Sequence, residues 1–522
     1  MLAVVLGSGI VFLDSTVVNV ALPRIGEELP SSLFGVLEGQ SYVYNGYLLT
    51  LSALLILAGA LSDYYGRRRI FALGLAGFAA TSVLCGVAPN MEFLVAARLL
   101  QGAAGAILVP GSLAIIRSAF EGEEQGRAFG IWAGASGATA ILGPAVGGFL
   151  VDSISWRAAF LINVPLLLLA YYATVKHVDE SKDAEASGAF DWLGASVIAV
   201  AIGGLAFGGI RGQEKQWQDA SAFVALALGV AATIAFPILM SKSTHPLVPL
   251  ELFRSRNFTV TNISTFLIYG ALYVTGYFSA IFLQGTIGYT PAASGASSIP
   301  SVIPLVLFSS KFGKMAARYG PRLFMWLGPA IMALGLFWLA RIPPTSQPWL
   351  LGEGAWTLPP SDYFVDVFPG WMLFGIGLMV MVAPLTTALM TSVSAQYSGV
   401  GSAINNAISR VGPQLAGAVI FIMITANFYA GLSATGLDVG SEAVRRDIPP
   451  LNAPAASIEP EIKQAARESS TDSFHLAMLI AAGLLLTGAA VNAVGIQNPR
   501  REVEPVDIVP QVSAPIADEA EA

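Results

Sequence analysis

Charge placed inside an apolar run is where this 522-residue sequence could do chemistry. Asp14 lies in the middle of the first such run, residues 2–23. A carboxylate near the centre of a membrane-spanning helix costs about 3 kcal/mol or more unless it is paired, protonated or facing water. An acid so placed can take up and release a proton as its surroundings change, which suits a proton carrier. The alternative is an acid that only packs helices, satisfied by Thr16 or Asn19 nearby in sequence. Arg98, in Ala97-Arg98-Leu99-Leu100-Gln101-Gly102, is the second such charge. A fixed cation there could tune a neighbouring carboxylate's proton affinity or hold an anionic group. It could equally snorkel to the outer interface. Gln101, one turn on, is a candidate for substrate contact or for a helix–helix hydrogen bond. Arg410 also falls inside an apolar run.

Two further patterns carry conformational rather than chemical meaning. The first is Gly59-Ala60-Leu61-Ser62-Asp63-Tyr64-Tyr65-Gly66-Arg67-Arg68. Gly59 allows close helix approach, Gly66 permits a tight turn, and the arginines starting at Arg67 pin the loop to the cytoplasmic face. Asp63 could pair with a basic residue of a neighbouring helix and so hold one conformation. The second is Gly143-Pro144-Ala145-Val146-Gly147-Gly148. Its small residues let helices touch, and Pro144 removes a backbone hydrogen bond and kinks the segment. Tyr269, Tyr273 and Tyr277 recur every four residues and so share one helix face. With Tyr47, Asn19, Gln101, Gln284, Trp371, Asn405 and Asn406 they are candidates to line a cavity. An aromatic face recognises flat or cationic apolar molecules, though it also serves as an interfacial belt.

The elements that position these residues follow from composition. Only 12% of residues are charged and 55% are hydrophobic, with a mean hydropathy of +0.66. A soluble domain has about 25% charged residues, so a soluble enzyme, a nucleic-acid binder and a disordered scaffold are all excluded. The apolar residues form fourteen blocks, each long enough to cross a bilayer as a helix. Lys and Arg are denser in the connections on the N-terminal side, which predicts cytoplasmic termini. The turn at Gly59 has an echo at Gly313-Lys314-Met315-Ala316-Ala317-Arg318-Tyr319-Gly320-Pro321-Arg322. A repeated half of this kind marks transporters built from two bundles. The expected organisation is a six-helix bundle over 1–176, an inserted helix pair over 177–257, and a second six-helix bundle over 258–495. Long outer loops are expected at 342–366 and 429–472, and a disordered cytoplasmic tail at 496–522. Cys85 has no partner, the three histidines lack metal-ligand spacing, and no phosphate-binding GxxxxGK[ST] loop occurs. No cofactor or metal is expected, and energy for transport would come from an ion gradient.

These residues resemble the major facilitator superfamily, specifically its fourteen-helix drug:proton antiporter branch. Leu13-Asp14-Ser15-Thr16-Val17-Val18-Asn19-Val20-Ala21-Leu22-Pro23 is similar to that branch's first-helix signature. Gly59 to Arg69 is similar to the loop 2–3 motif, Arg98, Gln101 and Gly102 to the fourth-helix motif, and Gly143-Pro144 with Gly147-Gly148 to the fifth-helix antiporter motif. Trp156-Arg157 through Phe160, Asn163 and Pro165 resembles the start of helix six, and Phe282-Leu283-Gln284 and Pro384 fall in family positions. Departures are Tyr64 where a basic residue is usual, Ala317 in place of the second-half aspartate, and Tyr42 where tryptophan is common. The resemblance implies an all-α membrane protein of two six-helix bundles plus two central helices. It also implies a monomeric, non-enzymatic exporter of small lipophilic or cationic molecules across the cytoplasmic membrane, driven by protons. Export of a lipid or metabolite, and a non-transporting sensor, are the alternatives.

Overall fold

The computed structural model describes residues 1–32, 36–182, 190–214, 219–351, 358–434, 436–455 and 457–498. All but the first residues of the expected disordered tail lie outside that set, as do residues 352–357 of the loop 342–366. The side chains of Asn19 and Pro144, and the surroundings of Gly148, are outside it as well.

No β-strand occurs among the described residues. The first six long helices are α1 (Leu2–Glu28), α2 (Val36–Tyr65), α3 (Arg67–Gly86), α4 (Met91–Ala119), α5 (Gly122–Ser153) and α6 (Asn163–His177). Two follow, α7 (Trp192–Glu214) and α8 (Ala220–Lys242). The last six are α9 (Arg256–Ile281), α10 (Ile299–Tyr319), α11 (Arg322–Leu339), α12 (Phe368–Thr391), α13 (Ser398–Ser433) and α14 (Pro460–Gly495). Among the described residues, twelve helical segments are long and apolar enough to cross a membrane, or thirteen with the bent α1. The 32-residue α5 takes the remaining place, so the order is consistent with fourteen spans.

In a bilayer every backbone amide must be satisfied internally, which makes these apolar blocks helical. Their ends are set by polar caps. The Asn90 side chain accepts from the Phe93 amide at 2.8 Å to start α4, and Asp219 accepts from Ser221 to start α8. Lipid tails are as apolar as leucine, so association depends on close packing through small residues. In the first six helices α2 packs on α4, α1 on α5 and α3 on α4; in the last six α11 packs on α12 and α14, and α9 on α13 and α14. The pair α7–α8 meets at Gly204 and Gly229, and α7 rests on α2 and α13. Phe223, Val224, Leu228, Ile234 and Ile238 of α8 remain exposed, as expected of a peripheral helix facing lipid.

Contact between the first and last six helices is densest along two crossings, α5 with α10 and α2 with α13, with α4 also meeting α13 and α5 meeting α12. The loop expected over 429–472 is partly helical: α13 runs on to Ser433 and α14 begins at Pro460. Hydropathy misses these extra turns because Glu461, Lys463, Arg467 and Glu468 interrupt it. The helix holds nonetheless because Ala466, Ser469 and Ser470 face inward.

Candidate functional site

Asp14, near the middle of α1, meets α4 at Arg98. The Asp14 Oδ2 lies 2.5 Å from Arg98 Nη1, and both side chains are 0% exposed. Gln101 Nε2 donates to Asp14 Oδ1 at 3.2 Å, and Asn163 Nδ2 of α6 donates to the same oxygen at 2.9 Å. Every partner is a donor, the surroundings an acceptor-only carboxylate needs. Arg98 also donates to Gln101 Oε1 at 2.7 Å and to the Val43 carbonyl of α2 at 3.1 Å. Its guanidinium carbon sits 4.1 Å from the centre of the Tyr47 ring, while Tyr47 donates to the Val11 carbonyl at 3.2 Å. Gln101 Nε2 bonds Ser82 of α3 at 2.9 Å. One ion pair therefore ties α1, α2, α3, α4 and α6 together, with no charge reaching the outer interface.

Thr16 is not Asp14's partner. Its hydroxyl donates to the Phe12 and Leu13 carbonyls and packs against Gly143, where a Cβ would collide with Thr16 Oγ1. At Gly147 a Cβ would lie 3.0 Å from Val17 Cα. The glycine motif of α5 thus lets α5 lie on α1, the helix that carries Asp14.

The second cluster sits where the arginine-rich turn meets α13. Asp63 Oδ1 accepts from Arg67 Nη2 at 2.9 Å and Nε at 3.1 Å. The same carboxylate accepts from the Gly399 amide at 3.1 Å and the Val400 amide at 2.9 Å. These are first-turn amides of α13, where unsatisfied N–H groups and the helix dipole favour an anion. Arg67 donates in addition to the Ala395 and Gln396 carbonyls. Gly59 makes the approach possible, since a Cβ there would lie 2.5 Å from the Gly399 carbonyl oxygen. Gly66 has φ +110°, a region glycine alone enters freely, and Glu180 caps the following helix through the Arg68 and Arg69 amides.

The sequence echo is a structural repeat. Gly320 has φ +88°, and Asn498 accepts from the Arg322 amide at 3.1 Å as Glu180 does in the first copy. Gly313 packs on Gly126 of α5. With Ala317 in place of an acid, this crossing carries the exposed Lys314–Glu123 pair at 3.2 Å and the buried Ser309 hydroxyl, which donates to the Gly130 carbonyl at 3.1 Å. Both crossings close the same end of the molecule.

The cavity candidates divide. Tyr273 and Tyr277 stack at 5.6 Å with an 8° interplanar angle, and a Cβ on intervening Gly276 would meet nothing within 4 Å. Tyr269 lies on the same face of α9, and Tyr277 is 41% exposed. Trp371 is buried beside Phe374 in the core of the last six helices, and Gln284 is exposed in the turn Phe282–Ile287 that ends α9. Asn405 bonds Asn262 at 3.1 Å and Thr265 at 2.8 Å, while Asn406 bonds its own helix at Ser402. Sequence reasoning assigned no role to Asn163. Its signals were a carboxamide at the start of a spanning segment and its place in the stretch that resembles the family's start of helix six.

A Major Facilitator Superfamily profile matches residues 4–417. The chain belongs to the major facilitator superfamily. Among its relatives in this superfamily, the tetracenomycin C resistance and export protein of Streptomyces glaucescens is 31% identical over 424 residues, covering 81% of this chain and 75% of that protein. The methylenomycin A resistance protein of Bacillus subtilis is 30% identical over 450 residues, covering 84% and 91%. The fold matches that of the human organic anion transporter MFSD10, with TM-score 0.60, 13% identity and coverage of 94% and 98%. This superfamily member is thus a multi-pass membrane protein whose relatives are named for antibiotic resistance and export.

Proposed function

We propose that the protein is a proton-coupled antiporter that exports small lipophilic molecules by alternating access, rather than an enzyme. The observation that carries this reading is the fully buried Asp14–Arg98 pair, completed by Gln101 and Asn163. A proton added to Asp14 removes the counter-charge of Arg98 in a dry interior. Charged and neutral forms therefore favour different packing of α1 and α4. Asp63 and Arg67 hold the second element of the cycle, latching the arginine-rich end to α13 while the opposite end is open. Residues 1–176 and 258–495 act as the two rocking units, with 177–257 as the inserted pair. The excess of Lys and Arg on the arginine-turn side supports cytoplasmic termini and residence in the cytoplasmic membrane. The protein functions as a monomer, and no cofactor enters the cycle.

The test is transport in proteoliposomes under an imposed proton gradient. Asp14→Asn, which keeps the shape and removes the titrating group, should insert normally and lose gradient-driven export. Full gradient-driven export by that variant removes Asp14 from coupling.

A further inference from the structure

The two carboxamides that hold Asp14 are not equally fixed. Gln101 is engaged at both ends: Oε1 accepts from Arg98 Nη1 at 2.7 Å and from Cys85 Sγ at 3.5 Å, while Nε2 donates to Asp14 Oδ1 at 3.2 Å and to Ser82 Oγ at 2.9 Å. Turning that amide over would set its NH2 group against the Arg98 guanidinium, donor against donor. Asn163 is engaged at one end only. Its Nδ2 donates to Asp14 Oδ1 at 2.9 Å, and its Oδ1 is a buried acceptor with no hydrogen-bond partner among the described residues. The residue is 0% exposed, and a buried carbonyl oxygen left without a donor is uncommon. Around Asp14 the ionisable groups are Arg98 of α4, Tyr47 of α2, whose ring lies 4.1 Å from the guanidinium carbon, and Cys85 of α3, which reaches Gln101. α5 brings Gly143 and Gly147 to this part of α1, and α6 brings the neutral Asn163.

We propose that Asn163 is a positioning residue that registers the charge on Asp14: its amide donates to the carboxylate and, once Asp14 takes up a proton, turns over so that Oδ1 accepts from the new O–H. The proton, taken from water, adds to Asp14 Oδ1, because Oδ2 faces the Arg98 guanidinium at 2.5 Å. That oxygen then carries a donor and faces two NH2 groups, so one of the two amides must present its oxygen instead. Gln101 would have to give up Arg98. Asn163 gives up only the Asp14 bond, which protonation has already broken. The turn replaces an N–H···O bond by an O–H···O bond and exchanges an unpartnered oxygen for an unpartnered nitrogen, so no hydrogen bond is lost. The start of α6 is thereby tied to the protonation state of α1, a connection the Asp14–Arg98 pair between α1 and α4 does not make. The inference rests on the antiport reading and deepens it, naming how the proton is registered by a residue that carries no charge.

The test is infrared difference spectroscopy of the purified full-length protein in lipid, with the pH stepped from alkaline to acid. Bands present in the wild type and missing from Asp14→Asn are those that depend on Asp14. The wild type should show a carboxylic-acid C=O band appearing together with a shift of one asparagine C=O band. Isotopic labelling of the asparagine side-chain carbonyls should move the second band and leave the first in place. Asn163→Ala should lose the asparagine shift completely, while its acid band moves to higher frequency because the O–H has lost its acceptor. The labelled wild type reads the amide with no substitution at position 163, so the test stands even where Asn163→Ala does not fold. An acid band without an asparagine shift, an asparagine shift that persists in Asn163→Ala, or no Asp14-dependent acid band at all overturns the proposal. Export in proteoliposomes separates the two readings. Full gradient-driven export by Asp14→Asn alongside the asparagine shift refutes coupling through Asp14 and upholds the amide turn; lost export in Asp14→Asn without that shift refutes the role of Asn163 alone.

Discussion

Replacing Gly59 by alanine should force apart the closed end of the molecule. The added Cβ would lie 2.5 Å from the Gly399 carbonyl oxygen and 2.6 Å from the Ala403 Cβ, where ordinary contact begins at 3.4 Å. One obstacle is helix backbone and the other a β-carbon, so no side-chain rotation relieves the overlap. The helices α2 and α13 must part by nearly an ångström. That separation also stretches the Asp63 bonds to the Gly399 and Val400 amides, 3.1 and 2.9 Å in the closed form. Overpacking of this kind costs about 1–3 kcal/mol, which corresponds to about a 5- to 150-fold change in the closed-to-open ratio. Cys85 is the sole cysteine and is buried, so spin labels can be attached at Arg69→Cys and Ser394→Cys without removing it. Electron–electron resonance should show the long-distance population rising by about fivefold or more in Gly59→Ala. Gly313→Ala, which meets the Gly126 carbonyl at the second crossing, should act in the same direction. Gly483→Ala is the control, because its Cβ meets nothing within 4 Å. An unchanged distance distribution in a folded Gly59→Ala protein would mean that the crossing yields locally and does not govern closure.

Other outcomes follow from the same contacts. Arg98→Lys replaces a fork that reaches Asp14, Gln101 and the Val43 carbonyl with a single ammonium; gradient-driven transport should fall about tenfold or more. Arg98→Ala leaves Asp14 buried without its counter-charge and should cost about 3–5 kcal/mol of stability in denaturant-induced unfolding. Asn163→Ala removes one of the three donors to Asp14 and should slow transport by about tenfold, while gel-filtration behaviour stays as in the wild type. Gly143→Ala should lower stability by about 1–3 kcal/mol, with partial recovery on adding Thr16→Ala, because Thr16 Oγ1 is the nearest obstructing atom.

The helices were legible because hydrocarbon leaves a spanning backbone no other choice, and a block of apolar residues is a direct record of that constraint. Legibility ended where lipid ends. The first turns of α14 lie in a charged stretch whose inward positions, Ala466, Ser469 and Ser470, carry little hydropathy signal. Asp14, Asp63 and Arg98 stood out because charge in an apolar run is costly, and that cost needs no partner to be visible. Their partners were another matter. Asp14 is joined to Arg98 across 84 positions of sequence and to Asn163 across 149, whereas the near neighbour Thr16 turned out to serve α5. Trp371 and Asn405 have the residue types of a cavity wall, yet one is packed among aromatic side chains and the other satisfied by Asn262 and Thr265.

Arg98 and Arg410 show most clearly why residue type falls short of role. Both are arginines deep within apolar runs, Arg98 fully buried and Arg410 partly exposed. One is offset by a carboxylate at 2.5 Å; the other keeps part of its surface accessible and pairs with no carboxylate among the described residues. Pairing is a property of how α1 lies on α4 and how α13 lies against α2, and no local pattern encodes it. Yet pairing decides the chemistry. A cation that already holds its anion can respond only to that anion's protonation. Loss of Arg98 should impair transport of every substrate through the coupling step, whatever the charge of the substrate.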